Sequence, residues 1–178
     1  MINYLATQKN WQNAFSDTIT SFAELAQALD LPIDSFDSQV GQFPLKVPRR
    51  FVQKMVKGDI NDPLLKQVLP TFQETVQVTG FVTDPLDEQH ANPVKGIIHK
   101  YASRVLIPVT GACVVNCRYC FRQHFDYQEN LPTQNDWQAI SAYITAHPAV
   151  NEVILSGGDP LSLSNRRLLE IFTTLEAV

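Results

Sequence analysis

Gly111-Ala112-Cys113-Val114-Val115-Asn116-Cys117-Arg118-Tyr119-Cys120-Phe121-Arg122 contains all three cysteines of the chain, at the spacing C-x3-C-x2-C. Thiolates are soft ligands that select iron–sulfur clusters, zinc or copper(I), and three of them on one short loop can wrap one face of a cluster. Three thiolates leave one iron of a four-iron cubane without a protein ligand. An open metal position is where chemistry takes place, by the logic that separates catalytic from structural zinc sites. Two other readings stand beside this one: three cysteines packed as small hydrophobes, and a Cys3His zinc site completed by His124. Core packing gives no reason to gather three cysteines within eight residues and place none elsewhere. Compact structural zinc sites usually draw their ligands from two separated pairs.

Composition narrows the class. A chain of 178 residues, 44% of them hydrophobic, suits one ordinary globular domain. No apolar run approaches the roughly 18 residues of a membrane span and no secretory leader opens the chain, so a cytoplasmic protein without a membrane partner is expected. The odd, clustered cysteine count argues against a disulfide framework. A net charge of −4 gives no general reason to expect nucleic acid. From Gln89 to Phe125 there is no Asp or Glu, while Lys95, Lys100, Arg104, Arg118 and Arg122 all fall there. This pattern predicts a pocket for a phosphate or carboxylate, held bidentately by Arg. A solvated basic face or an RNA patch is the alternative.

Along the chain, the pattern predicts a helical N-terminal region over 1–78, a linker over 79–98 and a β/α unit over 99–178. Ser21-Phe22-Ala23-Glu24 has the form of a capping box, followed by Leu25 and Leu29 on the face of Phe22. Pro48 stands at a first helical position before Phe51, Val52, Met55 and Val56, with Gly58 as the stop. Asp62-Pro63 starts a third short helix carrying Leu64, Leu65, Val68 and Leu69. Trp11 and Phe15 read as core residues. Turn formers fill 79–93, including Thr83-Asp84-Pro85 and Asn92-Pro93.

Arg104-Val105-Leu106-Ile107-Pro108-Val109 then reads as the first buried parallel strand, with Lys95 and Lys100 before it, and Gly111 ends it. The cysteine loop thus follows the C-terminal end of a strand, the face on which β/α barrels carry their active sites. Thr133 with Asp136 caps a helix bearing Trp137, Ile140 and Ile144, up to Pro148. Val153-Ile154-Leu155 is the second strand, closed by Gly157-Gly158, and a last helix carries Leu168, Leu169, Phe172 and Leu175 on one face. This βαβα order makes the fold class α/β with parallel strands.

The cysteine segment resembles the C-x3-C-x-aromatic-C motif of the radical S-adenosylmethionine (SAM) enzymes, with Tyr119 at the aromatic position. Together with His99-Lys100-Tyr101, Arg104-Val105-Leu106, Cys120-Phe121-Arg122 and Ser156-Gly157-Gly158-Asp159-Pro160, it is similar to the lysine 2,3-aminomutase family. The likeness is greatest to the branch that makes (R)-β-lysine for elongation factor P. It covers roughly residues 45 to 178, more weakly before. The resemblance implies a partial TIM-like β/α barrel and a [4Fe–4S] cluster on Cys113, Cys117 and Cys120. It implies Tyr119 against the adenine of SAM, and Gly157, Gly158 and Asp159 at its methionyl group. It places Arg122 on the carboxylate of lysine, and Tyr101 and Arg104 at pyridoxal 5′-phosphate (PLP). The implied reaction is cleavage of SAM by an electron from the cluster, hydrogen abstraction from the β-carbon of lysine, and migration of nitrogen from the α- to the β-carbon. Elongation factor P and its lysyl-transferring ligase are the implied functional partners.

Three features keep other readings open: an aromatic packs in its own loop, a Gly-Gly pair serves a turn, and a strand-end arginine faces water. A catabolic aminomutase acting on free lysine or glutamate, and a small zinc or electron-transfer iron–sulfur module, also fit the residues. Only two parallel strands can be read before Val178, so an N-terminal fragment is expected. The lysine that carries PLP is expected outside it, and no turnover by the fragment itself.

Overall fold

Helix α1 (Phe22–Leu29) begins where its sequence predicts, in a computed structural model that describes residues 16–36 and 43–178 of the chain. Trp11 and Phe15 lie outside the described residues. Ser21 is the N-cap but its side chain makes no capping bond. Glu24, the expected partner in the capping box, pairs with Arg49 instead. The apolar stripe does its work: Leu25, Ala26 and Leu29 are buried.

By its contacts the chain falls into two units, one taking the chain up to Phe81 together with Val114–Gln123, the other Val82–Cys113 and His124–Val178. The contiguous 99–178 unit expected from sequence is therefore interrupted. The reason is local bonding: Asn116 N donates to Lys46 O at 2.9 Å and Arg118 N to Gln67 O at 2.8 Å, while Val115 packs on the first unit's core. The chain passes from one unit to the other at Phe81–Val82, among the turn formers of 79–93.

Among its described residues the first unit is less helical than its sequence suggests. A two-residue pair of strands, β1 (Thr18–Ile19) and β2 (Val47–Pro48), runs antiparallel. Pro48 ends β2 and sits just outside the four-residue helix α2 (Arg49–Val52), not at its first position. The third expected helix is only a 3-10 turn, Leu65–Gln67, with Asp62 capping the amides of Leu64 and Leu65. Ile19, Leu25, Leu29, Val47 and Leu65 form the fully buried centre of this core.

The second unit is a three-stranded sheet in the order β3-β4-β5. Strands β4 (Arg104–Thr110) and β5 (Glu152–Gly157) are parallel, in register from Arg104↔Glu152 to Ile107↔Leu155, with helix α4 (Asp136–Thr145) in the connection; α3 (Tyr127–Asn130) precedes it. This bears out the parallel pair read from the two apolar runs. Strand β3 (Ile98–Tyr101) pairs antiparallel with β4 and was not expected: its residues Ile-His-Lys-Tyr lack a clean alternation. Lys100 and Tyr101 therefore lie in a strand. One face of β4, with Val105 and Ile107, packs with Trp137, Ile140 and Ile144 of α4 and Ile171 of α5 (Asn165–Glu176). On α5 the packed stripe is Ile171 with Leu175, while Leu169 and Phe172 are exposed, so the predicted Leu168–Leu169–Phe172–Leu175 face is rotated. Parallel strands, α4 and α5 make this unit mixed α/β. No helix among the described residues is long and apolar enough to cross a membrane.

Candidate functional site

The end of β4 is clasped by the glycine loop that follows β5. Gly158 N donates to Thr110 O at 2.6 Å and Asp159 N to Ala112 O at 2.8 Å. Ser162 Oγ reaches the same Ala112 oxygen at 3.5 Å, and Thr110 Oγ1 accepts from Ala112 N at 3.1 Å. This approach is possible only without side chains: a Cβ at Gly158 would run into the Ala112 carbonyl, and Gly157, at φ +113°, would run into that of Thr110. The glycine pair thus holds the residue directly before Cys113. Asp159 caps the Pro160–Ser162 turn through Leu161 N, at 3.0 Å. The amides of Gly158 and Asp159, in the loop that the resemblance places at the methionyl group of SAM, both bond the exit of β4. No sequence signal distinguished a glycine that admits a ligand from one that admits backbone.

Beyond Cys113 the loop is fastened to the first unit. Cys120 N donates to Cys117 O at 3.1 Å and Gln123 N to Cys120 O at 3.3 Å, so Cys117–Gln123 winds through two tight turns. Asn116 Nδ2 adds a bond to Pro44 O at 3.0 Å. None of the three cysteines is in a disulfide, and each is partly exposed. Among the described residues, no three of His, Cys, Asp and Glu converge to hold a single metal ion, and His124 is exposed. A cluster asks for less convergence, because each thiolate takes its own iron. An all-sulfur donor set, partly exposed and pinned by its backbone, fits such a cluster.

Tyr119 is 71% exposed. Its hydroxyl bonds Cys117, and that bond first, then the charge of the sulfur, then burial raise the phenol above its ordinary value. Arg122, at 5% exposure, is buried with its guanidinium 4.9 Å from the Phe121 ring centroid. Two cations of the acid-free stretch meet carboxylates from elsewhere, Arg118 pairing with Glu74 and Arg104 with Glu152 at 3.1 Å, while Lys100 donates to Leu86 O. The expected open anion pocket is therefore largely spent on internal partners, which no local charge count reveals.

Tyr101 and Arg104 face each other across the β3-β4 turn, with the guanidinium 5.9 Å from the ring centroid. They stand at the start of β4, and the glycine clasp at its end, about 20 Å away along the strand. The structure does not bring these two groups together.

Residues 102–177 match the family model described as a 4Fe-4S single cluster domain. The chain is 43% identical over 176 residues to the L-lysine 2,3-aminomutase of Escherichia coli (strain K12), an alignment covering 97% of this chain and 51% of that protein. It is 43% identical over 174 residues to the enzyme of that name from Haemophilus influenzae, covering 96% and 52%. To the L-lysine 2,3-aminomutase of Clostridium subterminale it is 38% identical over 123 residues, 68% of this chain and 29% of that protein. The chain spans about half the length of the first two relatives.

Proposed function

We propose, on the premise that this chain is a homologue of the lysine 2,3-aminomutases along nearly its whole length, that it is the cluster-bearing part of a radical SAM, PLP-dependent aminomutase. The whole protein converts L-α-lysine to (R)-β-lysine for modification of elongation factor P. One observation carries the reading: a C-x3-C-x2-C loop leaves a parallel strand with its backbone clasped before Cys113 and anchored on both sides of Cys117. On this proposal β4, α4 and β5 open a β/α barrel whose remaining strands cover the other side of β5.

Cys113, Cys117 and Cys120 hold the [4Fe–4S] cluster, which when loaded supplies the electron that cleaves SAM. Tyr119, with its ring exposed, offers a stacking face to the adenine. Gly157, Gly158 and Asp159 shape the loop beside the methionyl group by holding Ala112 in place. Arg122 is assigned to the carboxylate of lysine, for which a planar fork is suited. Tyr101 and Arg104 are assigned to PLP, where the phosphate competes with Glu152 for the guanidinium.

Anaerobic reconstitution of the full-length protein tests the cluster. The wild type takes up iron and acid-labile sulfide, and Cys117→Ala loses both, since two thiolates cannot hold three irons. Full iron and sulfide in Cys117→Ala, or one zinc and no iron in the wild type, overturns the assignment. Product analysis with and without elongation factor P and its ligase tests the substrate and destination.

A further inference from the structure

Arg118 stands inside the ligand turn, between Cys117 and Cys120, yet its guanidinium faces neither solvent nor an open site. Its side chain is 7% exposed. Nε donates to Glu74 Oε1 at 2.8 Å, a second nitrogen closes the fork on Oε2, and the third donates to Phe43 O at 3.0 Å. The Phe43 ring lies beneath, with its centroid 5.0 Å from the guanidinium carbon. Glu74 is itself held, because it closes a capping box on the Phe72–Thr75 turn by accepting from Thr71 N at 3.3 Å. The peptide nitrogen of Arg118 is taken by Gln67. Three separate stretches of the first unit therefore grip one residue of the cysteine turn.

We propose that the Arg118–Glu74 pair is a positioning strut for the cluster: it sets the spacing of Cys117 and Cys120, and its carboxylate cancels the cation carried beside them. This rests on the cluster reading above. A pair that served packing alone has no need of charge: the Arg118 guanidinium must be desolvated to reach its place, while Glu74 keeps 20% of its side chain exposed, and an apolar side chain would fill the same space without that cost. The fork with its backbone acceptor fixes direction, which a turn bearing two ligands requires. Groups around metal ligands that orient them typically change metal affinity 10- to 100-fold when removed.

The test uses the full-length protein, reconstituted anaerobically, with three variants. Arg118→Ala is expected to release iron to a chelator roughly ten-fold faster than wild type. Arg118→Lys, which keeps the charge and loses the fork, is expected to fall between the two. Glu74→Gln keeps the shape and leaves the guanidinium uncompensated, so the cluster's midpoint potential rises and its reduced-state electron paramagnetic resonance spectrum changes. If Arg118→Ala does not fold by circular dichroism, the two milder variants decide. Wild-type release rates, potential and spectrum in the folded variants overturn the strut. A wild type that takes up no iron and sulfide overturns the cluster reading, and the strut with it.

Discussion

At the scale of single residues, the site depends on what is missing as much as on what is present. Gly158 lies where a methyl group would collide with the carbonyl of Ala112, at 2.7 Å from its carbon, one residue before a proposed ligand. The obstacle is backbone and cannot swing aside, so Gly158→Ala must push the β4 exit away from the loop. We expect a loss of about 2–4 kcal/mol in chemical denaturation and a cluster content below that of wild type. Wild-type stability in this variant would show that the clasp is not tight. Arg118 and Arg122 make the complementary point. Both are written in the sequence as free cations beside the cysteines, but one is locked to Glu74 and the other is buried against Phe121.

At the scale of elements, short segments are bounded by side chains that take the backbone amides at their ends. Asp62 accepts from Val56 N at 3.0 Å, Leu64 N at 2.8 Å and Leu65 N at 2.9 Å, which ends one turn and starts the next. These amides hold its carboxyl below the ordinary carboxylate range. A lowered folded pKa means that its stabilisation is complete above the unfolded value near 4 and is lost as the pH falls through the folded value. Asp62→Asn should therefore be less stable than wild type at pH 7, with the gap closing in acid, as followed by urea midpoints from pH 7 to pH 2. A gap that does not change with pH would mean that the charge is irrelevant and only the bonds matter. Helix α1 starts at Phe22 without the expected capping box, its Glu24 being paired with Arg49.

At the scale of the whole molecule, two buried centres divide the chain, one around Leu25 and Leu29, the other around Ile107 and Ile140. Removing a buried Leu or Ile to Ala costs about 2–5 kcal/mol, and each loss should fall on the residues bonded to that centre. In native-state hydrogen exchange, Leu25→Ala is expected to expose the amides of Asn116 and Arg118, which bond Lys46 and Gln67, more than Ile140→Ala does. Equal exposure from the two would show that the cysteine segment does not belong to the first unit. The sequence by itself determined the place of the cysteine loop after β4, the two parallel strands and the helix between them. Three cysteines within eight residues are legible without any tertiary contact, and an apolar run bounded by Gly or Pro has few ways to be buried. Only the tertiary structure decided that Val114–Gln123 bonds to the chain before Phe81, that Glu74 and Glu152 pair with two cations of the acid-free stretch, and that Gly158 admits backbone. Each of these joins residues far apart in the chain, and no local pattern of charge or hydrophobicity records which distant carbonyl or carboxylate a residue will meet.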